Sequence, residues 1–205
     1  MNPYRAVIFA TVVWSVFATG CATSPSSRFY TLSPAPVDEP RPGAKPIAFA
    51  IAIGPVTVPD LVDRPQIVTT IDANRVSIDE FARWADPLKR QIGQTLAEDL
   101  MQVIPGSVVS AFPQHASGNG YRLSVDVQRF DSPIAGGAVT LAVIWSVRPP
   151  TGNAIDGRSV VREAVSGAGY DALVNAHSRA LASVAKDIAA AMQSSLAQRN
   201  FKERL

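Results

Sequence analysis

Cysteine is nearly missing from this chain: one thiol, Cys21, stands in 205 residues. An internal disulfide is thereby excluded. Histidine is also scarce, and the two present, His115 and His177, form neither HExxH nor any local metal-ligand pair. There is no GxSxG elbow, and the serines at 159 and 166 have no neighbouring feature that would activate them. No Walker motif occurs, so a P-loop ATPase is not indicated. An excess of one charge is lacking too, with 19 Lys and Arg against 17 Asp and Glu. Nucleic acid, which needs a concentrated basic patch, is not indicated. Beyond residue 18 no apolar run reaches the ~20 residues that span a bilayer.

What is present begins around Cys21. The chain opens MNPYR and continues AVIFATVVWSVFA over 6–18, a short charged stretch followed by an apolar one too short to span a bilayer. That pattern fits a secretory signal. Thr19 and Gly20 place small side chains just before Cys21, which resembles a lipobox, with Ala18 where leucine is usual. The resemblance implies cleavage after Gly20, diacylglycerol on the Cys21 sulfur and an N-acyl chain on the new terminus. These covalent lipids are the only prosthetic groups expected; no metal and no other cofactor is. Ala22, where aspartate would retain such a lipoprotein at the inner membrane, implies an outer-membrane, periplasm-facing location. An ordinary secretory signal with an incidental cysteine, or an uncleaved anchor, is the alternative.

The expected organisation is a signal peptide at 1–20, a lipidated cysteine and proline-rich tether at 21–46, one domain at 47–198 and a tail at 199–205. Without the first 20 residues the balance is 18 positive against 17 negative. Strand composition marks 28–32 (RFYTL), 47–59 with a bend at Gly54-Pro55, 66–71 and 74–78. Leu88, Ile92, Leu96 and Leu100 recur every four residues, so 87–104 reads as an amphipathic helix with Asp86 as its N-cap. Further strands are expected at 107–112, 121–130, 138–148 and 158–165, the second alternating almost perfectly. A long helix at 171–198 carries nine alanines. The strand-to-strand connections are too short for helical crossovers. The order therefore reads as α+β, a largely antiparallel sheet with two amphipathic helices packed on one face.

No catalytic constellation emerges. His177 falls on the apolar stripe of the last helix, where packing is the simpler role, and His115 lies in a Gly/Asn/Ser loop. The carboxylate pairs Asp60/Asp63, Asp79/Glu80 and Glu98/Asp99 read as turn-forming, exposed and solvated-helix residues respectively. Phe81 and Trp84 are large groups close to Arg64 and Arg83, and aromatics with arginines are enriched at interfaces. Those four are the candidate partner-binding residues, the alternative for Trp84 being that it closes the core beneath the helix.

The lipobox, RFYTL, IGPVTVPDLVDRPQIVT (53–69) and RWADPL (83–88) together resemble the PqiC-type ABC-transport auxiliary lipoproteins, the paraquat-inducible protein C family. The resemblance runs from about Phe29 to about Met192. It implies a non-enzymatic outer-membrane component of a lipid-transport system. The implied partners are a periplasmic protein of the mammalian-cell-entry (MCE) class and, through it, an inner-membrane permease and ATPase. It also implies self-association as a ring, which close approach along the alanine-rich helix would serve. An assembly lipoprotein of a secretion or efflux machine, or a periplasmic hydrolase with a scattered site, are the rival readings.

Overall fold

The structure, a computed structural model, describes residues 25–36, 49–112 and 120–202, with side chains through residue 198. The signal segment, Cys21, Ala22, residues 37–46 of the linker, His115 and the last three tail residues lie outside them. The elements are β1 (Arg28–Tyr30), β2 (Ala50–Thr57), β3 (Gln66–Asp72), β4 (Arg75–Trp84), α1 (Leu88–Val103), β5 (Val108–Ala111), β6 (Tyr121–Asp131), β7 (Ala138–Arg148), β8 (Ile155–Ala164) and α2 (Gly169–Lys202).

The fold is α+β, as the pattern predicts, with the strands divided into two sheets. The larger runs β5-β2-β6-β7-β8 and the smaller β1-β4-β3. Short connections make β3–β4, β6–β7 and β7–β8 antiparallel. β2, however, lies parallel to both β5 and β6, and β1 lies parallel to β4. Parallel neighbours need a crossover, and α1 lies on the chain path that returns β5 beside β2. The register of β2 slips between Ile53 and Val56, where Pro55 can donate no hydrogen bond.

Alternation then decides the layers. Ile51, Ile53, Leu123, Val125, Val127, Val143 and Val147 are buried on one face of the large sheet. Both helices cover that face, α1 over β2 and β5, α2 over β7 and β8. Leu88, Ile92, Leu96 and Leu100 of α1 are each at most 1% exposed. Burying a side chain of that size contributes ~1.5–3 kcal/mol. Pro87, rather than Asp86, is the N-cap residue, and no side chain caps the helix. Among the alanines of α2, residues 172, 176, 180, 182, 185 and 189 are buried in the chain's own core. Close approach at those positions is already used within the monomer, which removes the alanines as an argument for self-association.

Two glycines are fixed by aromatic rings. Gly157 faces Trp145 in register, and a Cβ there would lie 2.1 Å from the indole Cζ2. At Gly93 a Cβ would lie 2.6 Å from the Phe112 ring. Phe112 itself has φ of 52°, a left-handed conformation costly for a bulky residue.

Candidate functional site

The small sheet takes in residues expected within the 21–46 tether, because β1 begins at Arg28. It docks in register on the end of β4: Arg28 opposite Ala82, Phe29 opposite Arg83, Tyr30 opposite Trp84. Alternation sends Tyr30 and Trp84 into the core, at 9% and 6% exposure, and leaves Phe29 64% exposed beside Arg83. Phe81, two residues before Arg83, is 38% exposed. Two aromatic rings and a guanidinium thus share the outer face of the small sheet.

Hydrogen bonds hold this surface. Arg83 donates from Nε to the Glu80 carbonyl at 3.0 Å and reaches the Glu80 carboxylate at 3.5 Å. The Phe81 N–H donates to the Asp79 carboxylate at 2.8 Å, and that bond holds the Asp79 carboxyl below its ordinary pKa. Asp79 also accepts from the Tyr170 hydroxyl, whose pKa is pushed up to about 12, first by burial and then by Asp79. Arg28 sits 5.8 Å from the centre of the Tyr170 ring, and Tyr30 packs against the same ring. β1, β4 and the start of α2 are therefore tied into one support.

Of the four candidate residues, Phe81 and Arg83 lie on this surface. Arg64 stands at the adjoining start of β3, half-buried, its Nε enclosed without a hydrogen-bond partner among the described residues. Trp84 is in the core, its ring edge-on to Phe130 at 6.2 Å, and its backbone N–H donates to the Pro65 carbonyl. It closes the core next to the helix and offers a partner no surface. Phe29 was not singled out from sequence, although the alternation of RFYTL places it opposite the inward Tyr30 and Leu32.

Behind the surface, residues 32–35 run between the two helices. The Leu32 N–H donates to Gln91 Oε1 at 2.8 Å, the Ser33 N–H to Ser178 Oγ at 3.2 Å and the Ala35 N–H to Asp99 Oδ1 at 3.2 Å. The expectation of a solvated Asp99 is overturned: the residue is fully buried, and burial pushes its pKa up to about 7. Beside its apolar stripe the helix uses that carboxyl, with Gln91, to satisfy extended backbone that has no strand neighbour.

The remaining polar groups serve packing. His177 stacks on Phe130 at 3.7 Å, and its Nε2 lies 2.8 Å from Ser132 Oγ. Both residues are at most 2% exposed, and burial lowers the His177 pKa to about 3. A neutral, enclosed imidazole neither meets substrate nor exchanges protons with solvent near pH 7. The Trp145 indole N–H donates to Ser159 Oγ, which donates to Asp187 at 2.6 Å. Asp63 is bound to Lys89 at 3.2 Å across the surface. Among the described residues no group of three His, Cys, Asp or Glu side chains is placed to hold a metal ion. No helix among them is long and apolar enough to cross a membrane.

Comparisons with known proteins agree with this architecture. The family model described as the ABC-type transport auxiliary lipoprotein component matches residues 30–189. The crystal structure of an uncharacterized protein superposes with a TM-score of 0.67 at 23% identity, covering 82% of this chain and 99% of the other. A second, of protein XCC0632 from Xanthomonas campestris in the DUF330 family, gives 0.63 at 17% identity, covering 82% and 98%. At such identities these two structures establish the fold. No curated protein matches the chain.

Proposed function

Because this chain belongs to the ABC-type transport auxiliary lipoprotein component family, we propose that it is the outer-membrane lipoprotein of an MCE-type lipid-transport system. In that reading it carries no enzymatic activity. Its domain holds the periplasmic end of the conduit at the outer membrane, to which Cys21 is attached by its acyl chains. Several chains together hold firmly where one would not, since each buried methylene contributes ~0.8 kcal/mol.

The observation that carries the reading is the surface of Phe29, Phe81 and Arg83. It exposes large apolar groups beside a cation, the composition of interface anchors, in a sheet braced from behind by Asp79 and Tyr170. It also lies close to the anchor. The six residues 22–27 reach at most ~20 Å when extended, so the surface is held near the membrane where the conduit would arrive. Self-association into a ring would place several such surfaces around one axis.

Co-purification from gently solubilised envelopes tests the proposal. The chain should bring down an MCE-domain protein, and Phe29→Ala with Phe81→Ala should reduce the yield at least tenfold without lowering Tm. Recovery of secretion or efflux components in its place would refute it.

A further inference from the structure

A cleft of about 470 Å³ opens along β2, β6 and β7 of the large sheet. Its floor is made where β6 and β7 pair, with Arg122 directly opposite Arg148 and Ser124 directly opposite Ser146. Ala52, Pro55 and the strained Phe112 supply the apolar part of its wall.

The Arg122–Arg148 juxtaposition is unfavourable as it stands. Directly opposed residues of an antiparallel pair bring their Cβ atoms to about 5 Å, and like charges there destabilise. No carboxylate forms an ion pair with either arginine among the described residues. Asp126 accepts from Thr57 and from Gln128, and Asp131 is paired with Arg129. Asp156 stands opposite Ser146, one diagonal step from Arg148, and forms no ion pair among the described residues. Two guanidinium groups without an ion-pair partner among the described residues, together with two hydroxyls, match a phosphate or carboxylate, which can accept paired N–H donors from both arginines. The apolar wall beside them suits the chain attached to such a head. A volume of this size admits a headgroup with its first methylenes, within the ~300–1,000 Å³ usual for ligand pockets.

We infer that this cleft is a binding site for an anionic amphiphile, its phosphate or carboxylate head between Arg122 and Arg148 and the start of its chain against Pro55 and Phe112. The site goes beyond the adaptor role proposed above, because an adaptor need not touch cargo. Binding by the isolated protein requires no MCE partner, so the two readings fail separately.

The test is calorimetric titration of the full chain, held in a neutral maltoside detergent, with hexyl phosphate, inorganic phosphate and hexanol. The Arg122→Gln/Arg148→Gln double variant serves as the blank for partitioning into micelles. Hexyl phosphate should bind the parent protein at least fivefold tighter than inorganic phosphate, and hexanol should give no signal above the blank. Arg122→Gln and Arg148→Gln should each weaken hexyl phosphate at least tenfold. Arg158→Gln, an exposed residue of β8, should change it less than twofold. Without ligand, both cleft variants should keep a Tm equal to or above the parent's, since each removes a like-charge contact. Equal weakening by Arg158→Gln would reduce the effect to general surface charge and overturn the site. Phosphate binding as tightly as hexyl phosphate, or no heat above the blank at ten millimolar, would overturn it as well.

Discussion

The buried carboxyl of Asp99 accepts a hydrogen bond of 3.2 Å from the backbone N–H of Ala35. This contact joins α1 to the segment that follows the tether, and it makes that junction sensitive to pH. Burial raises the Asp99 pKa from 3.8 to about 7. The unfolded chain therefore gives up this proton first, and the stability contributed by the neutral acid is lost as pH rises from about 4 through 7. At ~1.4 kcal/mol per pKa unit the loss is at most about 4 kcal/mol. Asp99→Asn should be more stable than the parent at pH 8 and lose that advantage at pH 4, as read from urea unfolding at each pH.

His177 acts with the opposite sign. Its pKa falls from 6.5 to about 3 because the ring is enclosed. The unfolded chain takes up the proton first as pH drops, so stability from this group is lost as pH falls from about 6.5 towards 3. The two trends oppose each other between pH 4 and 6.5. In the Asp99→Asn background, unfolding free energy should decline steadily as pH falls from 6.5 to 4; a flat profile would mean that His177 is not desolvated.

Gly157 is required by the indole above it. Adding a Cβ at 2.1 Å from Trp145 would displace a ring whose N–H donates to Ser159. Overpacking of this kind costs ~1–3 kcal/mol, and the disturbed hydrogen bond adds ~0.5–1.5 kcal/mol. Gly157→Ala should thus lower Tm by several degrees in a thermal scan. Val160→Thr on the exposed side of the same strand should stay within ~0.5 kcal/mol of the parent.

The anchor is tested by mass. The mature protein should begin at Cys21 with a diacylglycerol thioether and an N-acyl chain. Cys21→Ser should accumulate as unlipidated precursor, and Ala22→Asp should move the protein to the inner membrane on a density gradient. An unmodified Cys21 in the mature protein would remove the anchor from the account.

Where residue spacing encodes packing, the sequence was easy to read. The four-residue stripe of Leu88, Ile92, Leu96 and Leu100 and the alternation of Leu123, Val125 and Val127 both lie in the core as expected. The bend at Gly54-Pro55 appears as a register slip for the reason proline provides. Pairing partners were not legible, because nothing local tells β2 to sit parallel between β5 and β6. Asp99 was misread for a related cause. Charge at this position suggests solvent, although Gln91, Thr95 and Asp99 repeat at intervals of four beside the apolar stripe, and all three are buried. That polar row exists to meet backbone from a distant segment. Trp84 and Phe81, three residues apart, looked alike in sequence; only the docking of β1 separates an inward ring from an outward one.

The surface formed by Phe29, Phe81 and Arg83 is the centre of the functional account, and site-specific photocrosslinking in intact envelopes tests it most directly. A photoreactive residue at position 29 or 81 should form an adduct with an MCE-domain protein, and Arg83→Ala should reduce its yield at least fivefold. The same probe at position 160, on the exposed face of β8, should form none. Adducts to that protein from position 160 but not from 29 or 81, with the chain correctly located and folded, would contradict the assignment of the partner surface.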